Sequence, residues 1–460
     1  MNKTDVSEAL NKQLSLNQQS KVVVVGLGKT GFSVAKFLHK QGIKFAVIDS
    51  REKPPLKDAL LQEYPDSPVF TGGFDSAAFE VATHVLVSPG VSLQEQSIQK
   101  AIIDGAKLLS DIDLFSSSTD KPVIAITGSN GKSTVTTMLG AMGNAADVKT
   151  AIGGNLGTPA LDLLDEQCDL YVIELSSFQL ERTQVLNAKA ATVLNVTADH
   201  LDRHGDIKDY AKEKQGVFAG NGVMILNEDD SIVKGMKVKD RDTLIFSIHG
   251  KNGFHIESRQ AEDGQIENWL MNADQPLMRQ AEIPLEGLHN VANALAALAL
   301  GTAVGLDYKA MCDALREFKG LNHRMQKVAK LKGVTWVNDS KATNIGACVA
   351  ALQGYQNKVV LIAGGDAKGA NMDELVPVIK DKAKCVVLMG KDAEQIERAI
   401  NGCVPSYMAE TIQEAVHIAA KMAVEGESVL LSPACASIDQ YKNYQERGDK
   451  FTAAVLELAA

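Results

Sequence analysis

The sequence predicts an α/β protein made of three consecutive domains. Three segments of the 460-residue chain each open with a run of apolar residues and then change to the spacing of an amphipathic helix. The runs are KVVVVG from residue 21, KPVIAITG from residue 121 and GVTWVN from residue 333. Such runs are typical of strands buried in parallel sheets, and their alternation with helices predicts open sheets covered by helices.

The first domain is predicted to span residues 1–114. Residues 1–20 form a polar tail without the apolar core of a signal peptide. Two further apolar runs, KFAVIDS and HVLVSPG, predict strands that end near Asp49 and Gly90. The succession of strand, glycine turn and helix predicts a Rossmann-like sheet.

The second and third domains are predicted at residues 115–320 and 321–460. In the second, LYVIE and ATVLNV read as strands, residues 243–283 as a small β insertion, and residues 290–301 as an alanine-rich helix. In the third, the apolar runs again alternate with amphipathic helices, which predicts a C-terminal Rossmann-like domain.

Composition and charge exclude several classes of protein. The net charge of −10 is unsuited to binding the phosphate backbone of nucleic acid. The six cysteines include no CxxC pair, which argues against a zinc site or a disulfide framework. No apolar run approaches the roughly 18 to 20 residues that span a bilayer. We therefore expect a cytoplasmic protein that binds no nucleic acid and inserts into no membrane.

Residues 127–134, TGSNGKST, lie between the first strand and the first helix of the second domain. Glycines let such a loop turn its N–H groups toward phosphate oxygens, and the helix N-terminus adds its positive dipole end. Lys132 would reach the β- and γ-phosphates, and the Ser133 hydroxyl would bind Mg²⁺. The alternative is a glycine turn without a ligand. We predict a central P-loop ATPase-like domain in which ATP contacts Gly128, Ser129, Asn130, Gly131, Lys132, Ser133 and Thr134.

This loop is shorter than the common P-loop, which needs a glycine where the chain has Ile126. The short form resembles that of the Mur ligases and of the related folylpolyglutamate synthetases. The resemblance to Mur ligases covers nearly the whole chain beyond the tail. It includes NDSKATN at residues 338–344 and SPACASIDQYKNYQERG at residues 432–448.

Glu174 and His200 follow two strands of the second domain, and Asn155 lies in the loop GGNLG. Strand ends of a parallel sheet converge on one edge, where ligands bind. A carboxylate there suits Mg²⁺, whereas a lone histidine is more often structural. The resemblance to Mur ligases implies that Lys132, Glu174 and His200 serve ATP and two Mg²⁺ ions, with Asn155 at the acyl substrate.

Lys214, in YAKEK, reads from the residues alone as a solvated helix lysine whose cation would repel Mg²⁺. It aligns with a lysine that Mur ligases carry as a carbamate, and a carbamate is an acceptable metal ligand. The resemblance thus implies the catalytic residues Lys132, Glu174, His200 and Lys214. The implied metal ligands are Ser133, Glu174, His200 and carbamylated Lys214.

The remaining ATP contacts lie in two places. Asn290 opens the alanine-rich helix and reads as an N-cap, which asparagine favours. The resemblance adds that Asn290 and Asn293 line the adenine, that Arg324 binds phosphate and that Asp339 binds the ribose hydroxyls. Because Arg324 and Asp339 belong to the third domain, catalysis would require domain closure.

The resemblance also implies the acceptor amino acid. Polar stretches after strands are often ordinary loops, but those of the third domain match the Mur ligases that add D-glutamate. A glutamate side chain needs a cation and hydroxyl donors for its carboxylate. The implied D-glutamate contacts are Lys341, Thr343, Lys368, Ser437 and Tyr444, with Tyr444 in place of a more usual phenylalanine.

Gly26-x-Gly28-x-x-Gly31 follows the first strand, and Asp49 ends the next, which fits the dinucleotide fingerprint. Alone it predicts an NAD-dependent oxidoreductase, but it shows how a pyrophosphate is held and not which nucleotide carries it. In Mur ligases the equivalent domain holds UDP. The resemblance therefore implies UDP-substrate contacts at Gly28, Lys29, Thr30, Asp49, Ser50, Arg51, Gly90 and Asn155.

The implied reaction joins UDP-N-acetylmuramoyl-L-alanine to D-glutamate through an acyl phosphate, with cleavage of ATP, in peptidoglycan precursor synthesis. The family expectation is a monomer. Three alternatives remain open: another Mur-type or folylpolyglutamate-type ligase, an NAD-dependent oxidoreductase, and a non-catalytic nucleotide-binding module.

Overall fold

The computed structural model describes residues 3–74, 77–165, 167–199, 201–261, 264–285 and 287–458. It confirms the predicted α/β class, because three sheets of five, nine and six strands follow one another along the chain. Each sheet lies within one of the three predicted segments, and the boundaries at residues 114 and 320 stay a prediction.

The first sheet is parallel throughout and has the strand order β3-β2-β1-β4-β5. Its central strand is a run of four buried valines, since helices cover both faces. The elements are α1 (Lys3–Leu14), β1 (Val22–Val25), α2 (Lys29–Gln41), β2 (Phe45–Asp49), α3 (Lys57–Glu63), β3 (Val69–Thr71), β4 (His84–Val87), α4 (Gln96–Ile103), β5 (Lys107–Leu109) and α5 (Asp111–Ser116).

The second sheet has the order β14-β13-β12-β11-β10-β9-β6-β8-β7. Residues 243–283, predicted as a small β insertion, supply β11–β14, which extend one edge of this sheet and end in two antiparallel pairings. The elements are β6 (Val123–Thr127), α6 (Lys132–Ala145), β7 (Thr150–Gly154), β8 (Leu170–Glu174), α7 (Ser177–Leu180), β9 (Ala190–Val193), α8 (Leu201–His204), α9 (Ile207–Gln215), β10 (Val223–Asn227), α10 (Ser231–Lys234), β11 (Thr243–Ser247), β12 (Phe254–Gln260), β13 (Ile266–Asn272), β14 (Gln275–Arg279), α11 (Leu288–Ala303) and α12 (Tyr308–Glu317).

The third sheet has the order β15-β16-β20-β17-β18-β19 and is parallel except for its edge strand β15. The elements are β15 (Gln326–Leu331), β16 (Val334–Asn338), α13 (Ile345–Gln353), β17 (Val359–Gly364), α14 (Val376–Lys382), β18 (Ala383–Met389), α15 (Ala393–Ile400), β19 (Ser406–Met408), α16 (Ile412–Met422), β20 (Ser428–Leu431) and α17 (Tyr444–Glu457). Among all the described helices of the chain, none is both long enough and apolar enough to cross a bilayer.

Residues 3–14 differ from the predicted polar tail, because they form α1 and pack into the core. Val6, Leu10 and Leu14 recur every four residues and are buried together with Leu16. The backbone carbonyl of Leu14 also lies 3.1 Å from Nε2 of the buried His84. Three apolar residues separated by polar ones form too narrow a stripe to stand out in the sequence.

If α1 is part of the core, replacing Leu10 with alanine should lower the free energy of unfolding by about 2–5 kcal/mol, because a fully buried leucine leaves a cavity. Leu10 is 1% exposed. Chemical denaturation measures the change, and the exposed neighbour Lys12→Ala is the matched control, with an expected change within about 0.5 kcal/mol. Equal stability of Leu10→Ala and the wild type would show that α1 is dispensable.

Candidate active site

The predicted phosphate loop, residues 127–134, connects β6 to α6, and residues directly after β9 and in α11 hold it in place. The Ser129 N–H donates to the Asn195 carbonyl (2.9 Å), and the Asn130 N–H donates to the Asn195 side chain (2.8 Å). Gly131 adopts a φ of +85°, and a Cβ there would lie 2.4 Å from Oδ1 of Asn293. A glycine is therefore required at this position both by backbone conformation and by contact.

The first turn of α6 is suited to an anion. Its N-cap is Gly131, which has no side chain, so the first N–H groups of the helix are left for another acceptor. Lys132 folds back over the loop, where Nζ donates to the carbonyls of Gly128 (2.6 Å) and Ser129 (2.9 Å). Burial lowers the pKa of Lys132, which an arriving phosphate would counteract.

Glu174 ends β8 beside the phosphate loop and is 2% exposed. Its Oε1 accepts a hydrogen bond from Nδ2 of Asn155 (2.6 Å), which joins the two predicted residues directly. Its Oε2 is buried without a hydrogen-bond partner among the described residues. A buried carboxylate oxygen with no donor fits a hard cation such as Mg²⁺.

The predicted metal ligand His200 lies outside the described residues. Within the described ranges, no three histidine, cysteine or acidic side chains cluster as a metal site. Besides Glu174, the Ser133 hydroxyl lies at this edge of the sheet and has lone pairs to offer.

Lys214 differs from the solvated helix lysine that its local sequence indicates. It is 1% exposed, and its Nζ donates to the Gly128 carbonyl (3.0 Å), the same oxygen that Lys132 uses. The Nζ atom also lies 4.2 Å from the centre of the Tyr210 ring. Burial and the charge of Lys132 lower the pKa of Lys214 well below its usual value.

The third domain closes over the phosphate loop. Arg324 donates from Nη2 to the Ser133 hydroxyl (2.7 Å), across the boundary between the second and third domains. Asn344 donates to Asp199 (3.0 Å) and lies 3.5 Å from Oδ1 of Asn130. These bonds bring Arg324 to the site where the sequence predicts phosphate.

Asp339 and Lys341 follow β16 and line the same cleft. The Asp339 carboxylate accepts hydrogen bonds from the Ser432 hydroxyl (3.0 Å) and from the Met325 N–H (3.2 Å). Burial raises its pKa to about 7 despite these bonds. Burial, together with the charges of Arg324 and Lys132, lowers the pKa of Lys341 to about 8.

Asn290 is not the N-cap of α11, because the helix starts earlier, with Gly287 at the cap position. Asn290 lies in the first turn and is paired with Asn293, whose Nδ2 is 3.4 Å from its Oδ1. Both residues line the cleft near the phosphate loop, so their predicted place beside a nucleotide is compatible with the structure.

The five predicted acceptor contacts are brought together only in part. Lys341 and Thr343 line the cleft. Lys368 reaches toward it, with Nζ 3.9 Å from Oδ1 of Asp199. The Tyr444 ring lies 4.1 Å from Nζ of Lys341. Ser437 is buried and does not line the cleft.

Two clefts meet at Asn155. The first, about 450 Å³, contains the phosphate loop, Glu174 and the third-domain residues. The second, about 710 Å³, opens along the first domain, and Asn155 lines both. The second cleft brings together all eight residues predicted for the UDP substrate: Gly28, Lys29, Thr30, Asp49, Ser50, Arg51, Gly90 and Asn155.

Asp49 stabilises the wall of the second cleft through its own turn. Its carboxylate accepts hydrogen bonds from the Leu27 N–H (2.7 Å) and from the backbone and guanidinium of Arg51. Burial raises the pKa of Asp49, but these hydrogen bonds outweigh it and hold the pKa at about 2. A direct contact between Asp49 and a ligand stays a prediction.

Comparison with known proteins agrees with this arrangement. Residues 20–110 match the family described as Mur ligase MurD-like, N-terminal domain. Residues 126–301 match the Mur ligase middle domain, and residues 323–435 match the Mur ligase, glutamate ligase domain.

Relatives match over nearly their full length. A UDP-N-acetylmuramoylalanine--D-glutamate ligase from Methylococcus capsulatus is 49% identical, over 97% of this chain and 97% of its own. A protein of the same name from Pseudomonas aeruginosa is 46% identical, over 95% of this chain and 98% of its own. The chain belongs to the Mur ligase family.

Solved structures of other Mur ligases share the fold at low sequence identity. MurC from Thermotoga maritima is 18% identical, with a TM-score of 0.60 over 95% of this chain and 100% of that one. MurF from Acinetobacter baumannii is 17% identical, with a TM-score of 0.61 over 98% of each chain.

Several residues of this Mur ligase site are missing from the sequence-based prediction. Asn195 and Thr197 support the phosphate loop, and Asp199 contacts the third domain. All three follow β9, and the carboxyl end of this strand is predicted to lie at the site because His200 follows it. Polar residues directly after a central strand were the available signal.

The pKa of Asp339 predicts a pH dependence of stability in this Mur ligase. The folded pKa of about 7 lies above the ordinary aspartate pKa of 3.8, so the folded state binds the proton more tightly than the unfolded state does. The contribution of this site to stability therefore falls as pH rises between those two values. Asp339→Asn removes the titrating carboxyl group. The free energy of unfolding of the variant minus that of the wild type should therefore increase by about 2–3 kcal/mol from pH 5 to pH 8. Chemical denaturation of both proteins at both pH values measures this difference, and the same difference at pH 5 and pH 8 would contradict the prediction.

Proposed function

We propose that this Mur ligase forms an amide bond between UDP-N-acetylmuramoyl-L-alanine and D-glutamate, in peptidoglycan precursor synthesis, with ATP cleaved to ADP and phosphate. The observation that carries the proposal is that Asn155, hydrogen-bonded to Glu174, lines both clefts. A long substrate bound along the first domain would thus end beside the phosphate loop.

The relatives support the choice of substrates. Proteins 45–49% identical to this chain over 94–98% of its length are called UDP-N-acetylmuramoylalanine--D-glutamate ligases. The contacts proposed for the UDP substrate are the eight predicted residues of the second cleft. Those proposed for D-glutamate are Lys341, Thr343, Lys368 and Tyr444, together with Ser437, which is buried in this structure.

The first chemical step activates a carboxylate, which is by itself a poor electrophile. A carboxylate oxygen of the alanyl group attacks the γ-phosphorus of ATP, and the bond from that phosphorus to the bridging oxygen breaks, releasing ADP. The products are an acyl phosphate and ADP. Lys132 and Arg324 would stabilise the charge on the transferred group, and Asn155 would hold the carboxylate in line.

Two Mg²⁺ ions, held by Ser133, Glu174, His200 and carbamylated Lys214, would neutralise the phosphate oxygens. Support in the described residues comes from the buried, partnerless Oε2 of Glu174. The adenosine would lie against Asn290 and Asn293, with its ribose at Asp339.

The second step forms the amide bond. The neutral amine of D-glutamate attacks the acyl carbon, and the resulting tetrahedral intermediate loses a proton from nitrogen to solvent and expels phosphate. Lys341 and Lys368 would bind the side-chain carboxylate, which orients the amine toward the acyl phosphate. We propose a monomer as the active unit, as the resemblance to the family implies.

The test is phosphate release with UDP-N-acetylmuramoyl-L-alanine, ATP and a panel of L- and D-amino acids. D-Glutamate should support release far above every other amino acid. Lys132→Met should reduce the rate by about 1,000-fold or more, because it removes a cation from the transferring phosphoryl group. Lys121→Met is the matched control, because Lys121 is an exposed lysine just before β6, the strand that leads into the loop of Lys132. Fast release with a different amino acid, or an active Lys132→Met variant, would refute the proposal.

A carbamate at Lys214 would resolve the crowding of two ammonium groups on one carbonyl oxygen. The neutral amine attacks CO₂, forms an N–C bond and loses a proton to solvent, which converts a cation into an anion. Lys214→Ala should then lower the rate by at least about 100-fold through weaker metal binding. Added acetate or propionate should restore part of it by supplying a carboxylate in the same space.

Lys212→Ala, an exposed lysine on the same helix, is the control for this measurement and should keep the wild-type rate. Full turnover by Lys214→Ala without any added acid would exclude the carbamate. A rate that is low and does not respond to carboxylic acids would assign Lys214 a purely structural role.

A further inference from the structure

Arg182 is a fully buried cation that the reaction proposed above does not use. It follows α7 in the second domain and is 0% exposed. Its Nη1 donates to three backbone carbonyls of the first domain, those of Val87 (3.2 Å), Ser88 (2.6 Å) and Val91 (3.4 Å). The guanidinium therefore binds the chain directly after β4, across a domain boundary.

The segment bound by Arg182 is a wall of the second cleft. Residues 88–91 form a turn closed by a hydrogen bond from the Val91 N–H to the Ser88 carbonyl (3.0 Å), and all four residues line the cleft. The Ser88 hydroxyl also donates to the carbonyl of Gly26 (3.0 Å), in the glycine loop before α2. Arg182 thus fixes the position of the substrate-binding turn relative to the second domain.

A second cation and a carboxylate complete this contact. Arg203 donates from Nη2 to the same Val91 carbonyl (3.0 Å). Oε2 of Glu181 lies 3.0 Å from Nη2 of Arg182 and 3.4 Å from Nη2 of Arg203. A buried guanidinium needs a paired charge and hydrogen bonds, which Glu181 and the three carbonyls supply to Nη1 and Nη2 of Arg182. Its Nε is buried without a hydrogen-bond partner among the described residues.

Both arginines are linked to residues that line the first cleft. Arg182 lies eight positions after Glu174 and directly follows the short helix α7, which carries Phe178. The guanidinium of Arg203 lies 5.2 Å from the centre of the Phe178 ring, and Phe178 lines the first cleft. Movement of the 88–91 turn relative to Glu174 would therefore break contacts of both arginines.

The buried Asp113 carboxylate also joins the first two domains, because it accepts hydrogen bonds from the N–H groups of Gln184 (2.7 Å) and Val185 (2.5 Å). Two ion pairs at this boundary are more exposed. Lys36 pairs with Asp162 (2.8 Å), and Lys40 pairs with Asp165. The side chains of Lys40 and Asp165 are 63% and 68% exposed. Exposed ion pairs contribute about 0–1 kcal/mol and tolerate movement. They cannot fix the turn as a buried guanidinium with several acceptors does.

We propose that Arg182, supported by Arg203 and Glu181, is a positioning residue that sets the distance between the sugar-nucleotide cleft and the phosphate loop. It holds the 88–91 turn so that a substrate in the second cleft presents its carboxylate at Asn155. The identity of that substrate rests on the proposed function.

The test is Arg182→Lys, which keeps the positive charge but replaces a planar group with several donors by a single ammonium. The Kd of UDP-N-acetylmuramoyl-L-alanine, measured by calorimetry without ATP or amino acid, should rise by about 10- to 100-fold. The KM for the same substrate should rise with it. The KM values for ATP and D-glutamate should stay within about twofold of the wild type, since those ligands occupy the other cleft.

Arg203→Ala should show the same pattern at about 3- to 10-fold, because it removes one hydrogen bond to Val91. It also carries the test if Arg182→Lys is recovered unfolded. Lys40→Ala is the matched control, since it removes a cation at the same domain boundary without touching either cleft. It should leave all three KM values unchanged.

An unchanged Kd in both arginine variants would overturn the inference. So would an equal rise of all three KM values with a lower melting temperature, which would mean that Arg182 only stabilises the fold. If the wild type binds the sugar nucleotide but releases no phosphate with D-glutamate, the proposed reaction fails while the Kd still tests Arg182. If the wild type does not bind the sugar nucleotide, both proposals fail.

Discussion

Without the carbamate proposed at Lys214, three ammonium groups would share one partly buried cleft, those of Lys132, Lys214 and Lys341, and Arg324 adds a guanidinium from the third domain. Burial lowers the pKa of each of the three lysines. Like charges confined in a medium of low dielectric constant repel one another strongly. A polyphosphate is the kind of ligand that offsets this repulsion, so the charge distribution itself favours nucleotide binding. The buried carboxylate of Glu174 has one oxygen without a partner among the described residues. A cation bound at this oxygen would offset the negative charge of the carboxylate.

The three domains divide the work in a way that follows from this charge. The second domain supplies the loop at residues 127–134 that we propose binds phosphate. The first and third domains supply the two walls that a reaction between two substrates needs. The hydrogen bond from Arg324 to Ser133 joins the third domain to the phosphate loop, and the bonds of Arg182 join the first domain to the segment after Glu174. Both contacts use arginine, whose planar group can bind several acceptors at once. Closure of the cleft would also limit hydrolysis of the proposed acyl phosphate by water.

Several residues show where local sequence patterns fail. The YAKEK string around Lys214 has the composition of a solvated helix surface, yet the lysine is 1% exposed because α9 packs against the back of the phosphate loop. Asn290 has the right type for an N-cap, but the helix already begins at Leu288, with Gly287 at the cap position. Val6, Leu10 and Leu14 are separated by mostly polar residues, so the sequence alone indicates a polar tail. The structure shows that these three side chains are buried in the first domain.

The strands, the glycine loops and the family of this protein could all be predicted from short strings such as TGSNGKST and NDSKATN. Buried strands and phosphate loops impose their requirements on neighbouring residues, so a local pattern is enough to reveal them. The junction of the two clefts at Asn155, the burial of Lys214 and the capture of the 88–91 turn by Arg182 could not be predicted in this way. Each depends on residues far apart in the chain, and their distances, shared acceptors and loss of solvent exist only after the three domains have packed together.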